Sequence, residues 1–376
     1  MKQRSGIEIL CDLNIVESIY AFLLLNLSLC MKKIPIGNRL NKGGLRSTIV
    51  RRFRDYSFAP PDLLWARGWF YESDYYGDGS FLYPAYPTRY MVRCLRNLRG
   101  KQGVIWIRLG SYPINKNWGE DRIGDVATFA RDVVGYLSGP TVLVSTDGDM
   151  SVPADLPVGV AEQILGDPNI VAWYTQNYDT TFQHPKLFPL PVGLGLHAVV
   201  MNRFTGVRGQ ARRFIKAQQS ALPQKMRIKR IWSDVHFRIH QHNGATRAPF
   251  ADAIKCGHLK EIVDTPPCRL TQAQIWEKYG SYAFVMALPG HGWDCYRTWE
   301  ALGLGAIVIT VHSPIDLLIK DYRVVFLDSK ENNWWLKLQD QGWLNQVWQE
   351  ASSKPIVDLR WESWRKKVRS HLVKNK

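Results

Sequence analysis

The chain has 376 residues, of which 45% are hydrophobic and 22% charged, with 15 Trp and 16 Tyr. This is the balance of a globular protein with real cores, and the length suits two domains of ordinary size. Six scattered cysteines without a CxxC pair exclude a disulfide framework and a cysteine zinc site.

The formal net charge of +16 is local. Lys32 to Arg54 carries eight basic residues and Met201 to Arg230 carries nine, with no acid in either segment, and the remaining 32 basic residues nearly match the 33 acidic ones. Such segments suit a phosphate-bearing ligand, nucleic acid, an anionic membrane surface or a solvated linker. Upstream, the apolar run IYAFLLLNLSLCM (19–31) falls short of the roughly 20 residues of a spanning helix. It reads as a signal-peptide core or a weak anchor, flanked by basic residues on both sides. Secretory-membrane and cytoplasmic locations both stay open.

From residue 103 the pattern alternates. GVIWIRL predicts a buried strand and DVATFARDVVGYL a helix through Val126, Phe129, Val133 and Leu137. TVLVSTDGD and IVAWYTQN predict further strands with polar residues at their ends, VGVAEQILG a short helix between them, and LFPLPVGL a closing segment. After the basic stretch, which includes a possible linking helix ARRFIKAQQSAL, the alternation restarts. Strands are expected in MRIKRIWSDVHF, LKEIVDT, YAFVMALPG, AIVITV and RVVFLD, with helices between them. The last 45 residues read as helical.

The fold expected is therefore α/β: two Rossmann-like, doubly wound domains facing a central cleft. The boundaries are 1–60 for a basic N-terminal segment, 61–200 for a first α/β domain, 201–226 for a basic linker, 227–330 for a second α/β domain and 331–376 for a helical tail. In open parallel sheets ligands bind beyond the carboxyl ends of the strands, so candidate site residues belong there.

ALPGHGWDCYRTWEALGLG meets that requirement. Gly290 and Gly292, on either side of His291, allow close backbone approach. Asp294 stands where an N-cap is expected, and the helix N-terminus behind it suits a phosphate. Cys295, Trp299 and Leu302 share a face that should pack on the sheet, while Arg297 and Glu300 share another. The pair is either a solvated i, i+3 ion pair or a binding couple, with Arg297 gripping a diphosphate and Glu300 accepting from ribose hydroxyls. Two glycines of GxGxxG favour a nucleoside diphosphate over a dinucleotide.

The stretch YAFVMALPGHGWDCYRTWEALGLGAIVIT resembles the C-terminal signature of exostosin-like glycosyltransferases, through Phe284, Pro289, Gly290, Gly292, Arg297, Glu300, Ala301, Gly305, Ile307 and Val308. VLVSTDGDMSVPADLP, WYTQNYD and HPKLFPLPVGLGLH extend the likeness to roughly residues 103–330. It departs at Ala306–Ile309, where the family often has a proline, and at Ala287-Leu288. The resemblance implies a GT-B fold and an inverting transfer from a nucleotide sugar, UDP-linked first, to a glycan or glycoconjugate hydroxyl. No cofactor or metal is implied, because helix dipoles and basic side chains can serve the departing diphosphate.

Such a reaction needs a general base on the acceptor side and positive charge at the leaving group. Asp149 and Asp147 of STDGD are the base candidates, with an Asx turn on Gly148 as the alternative. Asn177 and Asp179 are candidates for acceptor hydroxyls, and His184 and His197 are further polar groups of this half. Arg238, with Lys229 and Arg230, flanks the first strand of the second half, and Arg247 is comparable. His236, His240 and His242 alternate along a strand, without a carboxylate or cysteine at ligand spacing. Two other readings stay open: a basic nucleic-acid-binding protein, although no recognised nucleic-acid motif is present, and a catalytically inactive partner module.

Overall fold

The computed structural model describes residues 62–78, 89–110, 124–196, 207–236 and 245–373. The apolar run 19–31, the segment Lys32–Arg54, His197, Arg238, His240 and His242 lie outside these residues. No helix among the described residues is long and apolar enough to cross a membrane.

Two parallel five-stranded sheets carry the chain, as the alternating pattern requires. The first runs β1 (Tyr75–Tyr76), β2 (Gly103–Gly110), β3 (Thr141–Gly148), β4 (Ile170–Thr175) and β5 (Leu187–Pro189), side by side in chain order. Period-two alternation sorts β2 cleanly. Ile105, Ile107 and Leu109 join one core, while Val104 and Trp106 join another. Helices α2 (Arg89–Arg96), α3 (Gly124–Asp132) and α4 (Val160–Gly166) cover the first of these faces through Leu95, Val126, Phe129 and Ile164. The strands lie in chain order, and the described connecting helices α2, α3 and α4 stand on this one face.

Its opposite face is closed by the segment Leu63–Phe70, which includes the helical turn α1 (Trp69–Glu72), and by the far end of the chain. The second sheet is built from β6 (Ile228–Trp232), β7 (Val263–Asp264), β8 (Tyr282–Met286), β9 (Ile307–Val311) and β10 (Val324–Leu327), in the order β10-β9-β8-β6-β7. Here the chain steps outward from β6 to β7 and then returns across to β8. Winding therefore reverses between β6 and β8, and this domain is doubly wound. Helix α6 (Arg247–Lys255) packs on one face through Phe250, while α7 (Gln272–Ser281), α8 (Tyr296–Gly303) and α9 (Asp316–Ile319) pack on the other.

The basic segment expected as a linker contains α5 (Val207–Ser220), which buries Val207, Ala211 and Phe214. Phe214 meets Trp276 of α7 edge-on at 5.2 Å, so α5 belongs to the second domain. The expected helical tail divides. Helix α10 (Gln341–Ser352) packs in the second domain's core through Leu344 and Val347, and α11 (Trp361–Val373) returns to the first domain. There Arg365 meets Glu72 at 2.7 Å and Arg369 meets Asp74 at 3.0 Å. One apolar cluster runs through both domains, joining Trp106 and Tyr174 to Trp276, Trp299 and Val308.

Trp361 is the wedge that seats α11. It is fully buried and stands edge-on to Trp69 at 5.0 Å. A Cβ on Gly68 would lie 2.0 Å from its ring, so the ring fits only over glycine. Trp361→Ala should cost about 3–5 kcal/mol of stability, and Gly68→Ala should also destabilise, because the two rigid groups cannot coexist. Urea unfolding followed by tryptophan fluorescence checks both, and a midpoint unchanged in Trp361→Ala would contradict this packing.

Candidate functional site

The point where winding reverses, between β6 and β8, is where an open α/β sheet leaves a crevice at its carboxyl edge. Two segments meet there: Ser233–His236 after β6, and the glycine loop after β8. The loop is tight, with Gly290 N donating to the Gly292 carbonyl at 3.0 Å. Arg247, the first residue of α6, lies beneath it and is buried. Its Nε donates to the Pro289 carbonyl at 2.6 Å, one Nη to Leu288 at 2.9 Å and the other to His236 at 3.2 Å. All three acceptors are neutral, and burial pulls this guanidinium down to about 10. The loop therefore rests on a cation that no described carboxylate touches.

Helix α8 begins just past the loop. Asp294 is not its N-cap, contrary to the sequence expectation. Cys295 occupies that position in extended conformation, and no side chain caps the helix. Asp294 turns away to take Val192 N at 2.7 Å and Trp299 Nε1 at 2.7 Å, while its own N donates to Asn177 Oδ1 at 2.9 Å. Cys295 is half-buried and Trp299 and Leu302 are buried, so this face packs inward as expected. His291 and Gly292 complete the loop. Gly292 is required, because a Cβ there would lie 2.7 Å from Asn177 Nδ2.

Arg297 and Glu300 are not a solvated ion pair, and they do not bond each other. Arg297 Nε donates to Asp234 Oδ1 at 2.8 Å and Nη2 to the Asp234 carbonyl at 3.1 Å. Its Nη1 has no hydrogen-bond partner among the described residues. Burial works against the charged form, but Asp234 beside it outweighs burial and holds Arg297 above the usual arginine range. Asp234 is fixed in turn by Tyr279 Oη, at 2.9 and 3.1 Å. This Tyr279–Asp234–Arg297 chain aims the remaining guanidinium edge.

Glu300 is buried and accepts from Gly195 N at 3.2 Å and Gln272 Nε2 at 2.9 Å. The expectation that it meets ribose hydroxyls is not met, because both its oxygens are engaged by protein. It clamps the first domain instead. Burial raises both Glu300 and Asp294 to about 7. Burial and the nearby Arg297 lower His236, and burial raises the Cys295 thiol. Besides the two raised carboxyls, Arg247 and Arg297 stand against Asp234, with Asp149 across the seam, beside an uncapped helix N-terminus.

The first domain presents β3 and β4 to this loop. A Cβ on Gly148 would lie 1.8 Å from the Gly110 carbonyl, so β3 can approach β2 this closely only with glycine there. Asp147 takes φ +63° and is buried in an ion pair with Arg67 at 2.9 Å, which removes it as a base. Asn177 donates to the Gly148 carbonyl at 3.1 Å and accepts from Asp294 N, so it joins the domains rather than an acceptor. Asp179 is also corrected: its carboxylate accepts from Ala154 N at 2.8 Å, Thr181 N at 2.9 Å and Thr181 Oγ1 at 2.6 Å, which fixes its own loop.

Asp149 alone fits the expected place. It is half-buried just past β3, and its charge adds to the rise of the Cys295 thiol across the seam. His184 is structural, accepting from Lys186 N at 3.2 Å and stacked on Phe182. Lys229 lies over the Trp348 ring and Arg230 pairs with Asp264 at 2.7 Å, so neither reaches the loop. Asp234 and Tyr279 were not anticipated. The polar residues closing the strand IKRIWSD were the available signal for the first.

No protein-family model matches the chain, and no curated protein matches it. Among solved structures it is similar to the UDP-forming α,α-trehalose-phosphate synthase of Burkholderia vietnamiensis, with TM-score 0.35 and 9% identity over 76% of this chain and 74% of that one. The corresponding Burkholderia xenovorans enzyme gives TM-score 0.34 and 10% identity over 76% and 72%. Sucrose-phosphate synthase of Thermosynechococcus elongatus gives 0.33 and 14% over 73% and 67%. These superpositions are loose.

The raised carboxyls predict a pH dependence. Between the unfolded values near 4 and the folded values near 7, the folded state holds protons that the unfolded chain has released. Stability from these groups is complete below pH 4, falls as pH rises, and levels off above 7. Glu300→Gln keeps the shape and lets Gln272 turn to accept. It should reduce the fall in unfolding free energy between pH 5 and pH 8 by on the order of 2 kcal/mol, read from urea titrations at both pH values.

Proposed function

We propose that the protein is a glycosyltransferase of the two-Rossmann-domain, GT-B type. It would take a sugar from a nucleoside diphosphate sugar, UDP-linked first, and pass it to a glycan or glycoconjugate hydroxyl. The observation that carries this reading is the Arg297 guanidinium, locked on one edge by Asp234 and with no partner at Nη1 among the described residues. It stands at the switch point beside an uncapped helix N-terminus and above Arg247. Fixed donors of this kind suit a departing diphosphate, because they need no rearrangement as charge develops. Gly290, His291 and Gly292 provide the backbone approach. The exostosin-like signature through Pro289, Gly290, Gly292, Arg297 and Glu300 supports the same assignment, although Glu300 then serves as a clamp.

In this reading Asp149 faces the loop from the first domain and takes the proton of the attacking hydroxyl. In-line attack from that side inverts the anomeric centre. Positive charge at the leaving group comes from the chain itself, so the mechanism uses no metal.

Thermal unfolding with UDP, GDP, CMP and their sugar conjugates tests the donor site, since a ligand of the folded state stabilises it by about 2.7 kcal/mol at a hundredfold excess over Kd. One nucleotide should stabilise, and Arg297→Gln should weaken its binding about 10- to 100-fold. Asp149→Asn should leave nucleotide affinity intact and lower kcat by about 10²–10⁴. If no nucleotide stabilises the wild-type protein, the assignment fails.

A further inference from the structure

The end of the second domain opposite the glycine loop carries its own pattern. Ile228 opens β6, Gly280 precedes β8, Gly305 precedes β9 and Arg323 precedes β10, so these residues lie together at the amino edge of the sheet. Hydrogen bonds stitch them into one surface. Gln224 Nε2 donates to the Gly305 carbonyl at 2.7 Å, and Arg323 donates to Gly305 and to the Lys354 carbonyl at 3.1 and 3.0 Å. Leu222 N donates to the Gly280 carbonyl at 3.0 Å, and the Ile356 side chain comes within 3.3 Å of the position a Gly305 Cβ would take.

Large apolar side chains stand out of this surface: Met226 at 70% exposure, Ile356 at 51%, Ile228 at 44% and Leu222 at 39%. Ile215 on α5 is also exposed, at 41%. Single exposed apolar residues are ordinary, but a group of them on one face marks an interaction surface. Cations are interleaved with them. Lys216 and Lys225 are exposed without an ion pair among the described residues, and Lys229 is exposed over Trp348. Met201 to Arg230 contains no acid, and Glu277 and Asp321 are exposed acids on adjoining turns. Arg227 is not part of the exposed set. It is buried, and its guanidinium binds the carbonyls of Leu222, Tyr279, Tyr282 and Leu304.

We propose that this basal face docks on an anionic lipid bilayer. Mixed apolar and cationic groups suit the interfacial region, where side chains such as Met226 enter the acyl boundary while lysines meet headgroup phosphates. A soluble polyanion would engage the lysines and leave Met226, Ile228 and Ile356 in water. Docked this way, the glycine loop points away from the bilayer.

The full chain is tested by sedimentation with vesicles of phosphatidylcholine alone or mixed with phosphatidylserine. Binding should require phosphatidylserine, and Lys216→Gln/Lys225→Gln should weaken it roughly 25-fold, at about fivefold per charge near an anionic surface. Arg89→Gln/Arg93→Gln on α2 removes the same charge from exposed residues of the first domain, without an ion pair among the described residues, and should leave binding nearly unchanged. Met226→Ser/Ile228→Ser should weaken vesicle binding while leaving polyphosphate binding intact. The proposal is overturned if phosphatidylserine has no effect, if the α2 variant loses as much as the basal one, or if the apolar variant binds vesicles like the wild type. All substitutions are on exposed side chains, and an unchanged melting temperature verifies folding.

Discussion

The site depends on a seam of hydrogen bonds in which the second domain's carboxyls take the first domain's backbone. Asp294 holds Val192 N and Glu300 holds Gly195 N, and both carboxyls are buried. A buried acceptor in low dielectric is costly to leave unmet, so each contact fixes position more firmly than its net energy suggests. Asn177 completes the seam, because it bonds Gly148 of β3 through one end and Asp294 through the other. The strand that carries Asp149 and the loop that leads into α8 are thereby set against each other by direct bonds.

That constraint explains why the acidic residues of the glycine loop and α8 are not ligand groups. Burial raises Asp294 and Glu300 to about 7, so near neutrality they span the seam with less negative charge beside a phosphate site than ordinary carboxylates would bring. The two guanidiniums here are Arg247 and Arg297, with Asp234 bonded to Arg297 and Asp149 facing them across the seam. Arg247 supports the loop by its carbonyls, and Arg297 is aimed by Asp234 and Tyr279. A guanidinium that already has one edge occupied loses less freedom on meeting a ligand.

Much of this was legible in the sequence. Apolar runs such as GVIWIRL and AIVITV located strands because a parallel strand is buried on both faces, and Trp299 and Leu302 fell on the inner face of α8 by helical spacing alone. The glycine loop was found by its place at a strand end. The failures share a cause. Spacing placed Arg297 and Glu300 on one face, but their partners Asp234, Gly195 and Gln272 come from distant segments that no local period encodes. Asp294 had the right position for a cap and was drawn off by Val192 and Trp299. Asp147 and Asp149 are indistinguishable in STDGD, and only the approach of Arg67 separates them. β1 was missed because two residues carry no period, and α5 was read as linker because its basic surface hid the buried face of Val207, Ala211 and Phe214.

The winding of the two sheets assigns their work. A reversal such as that between β6 and β8 opens a crevice by sending neighbouring connections to opposite faces, and helix N-termini come with it. The first sheet, with its strands in chain order, has no such reversal among the described residues. It can supply side chains from strand ends and loops, as Asp149 illustrates, but no crevice of this kind. A ligand with a charged and a neutral part would therefore have its charged part held by the second domain. The neutral part would then lie toward the first, on the side where Asp149 stands. This asymmetry follows from strand order alone and does not depend on which sugar or nucleotide is bound.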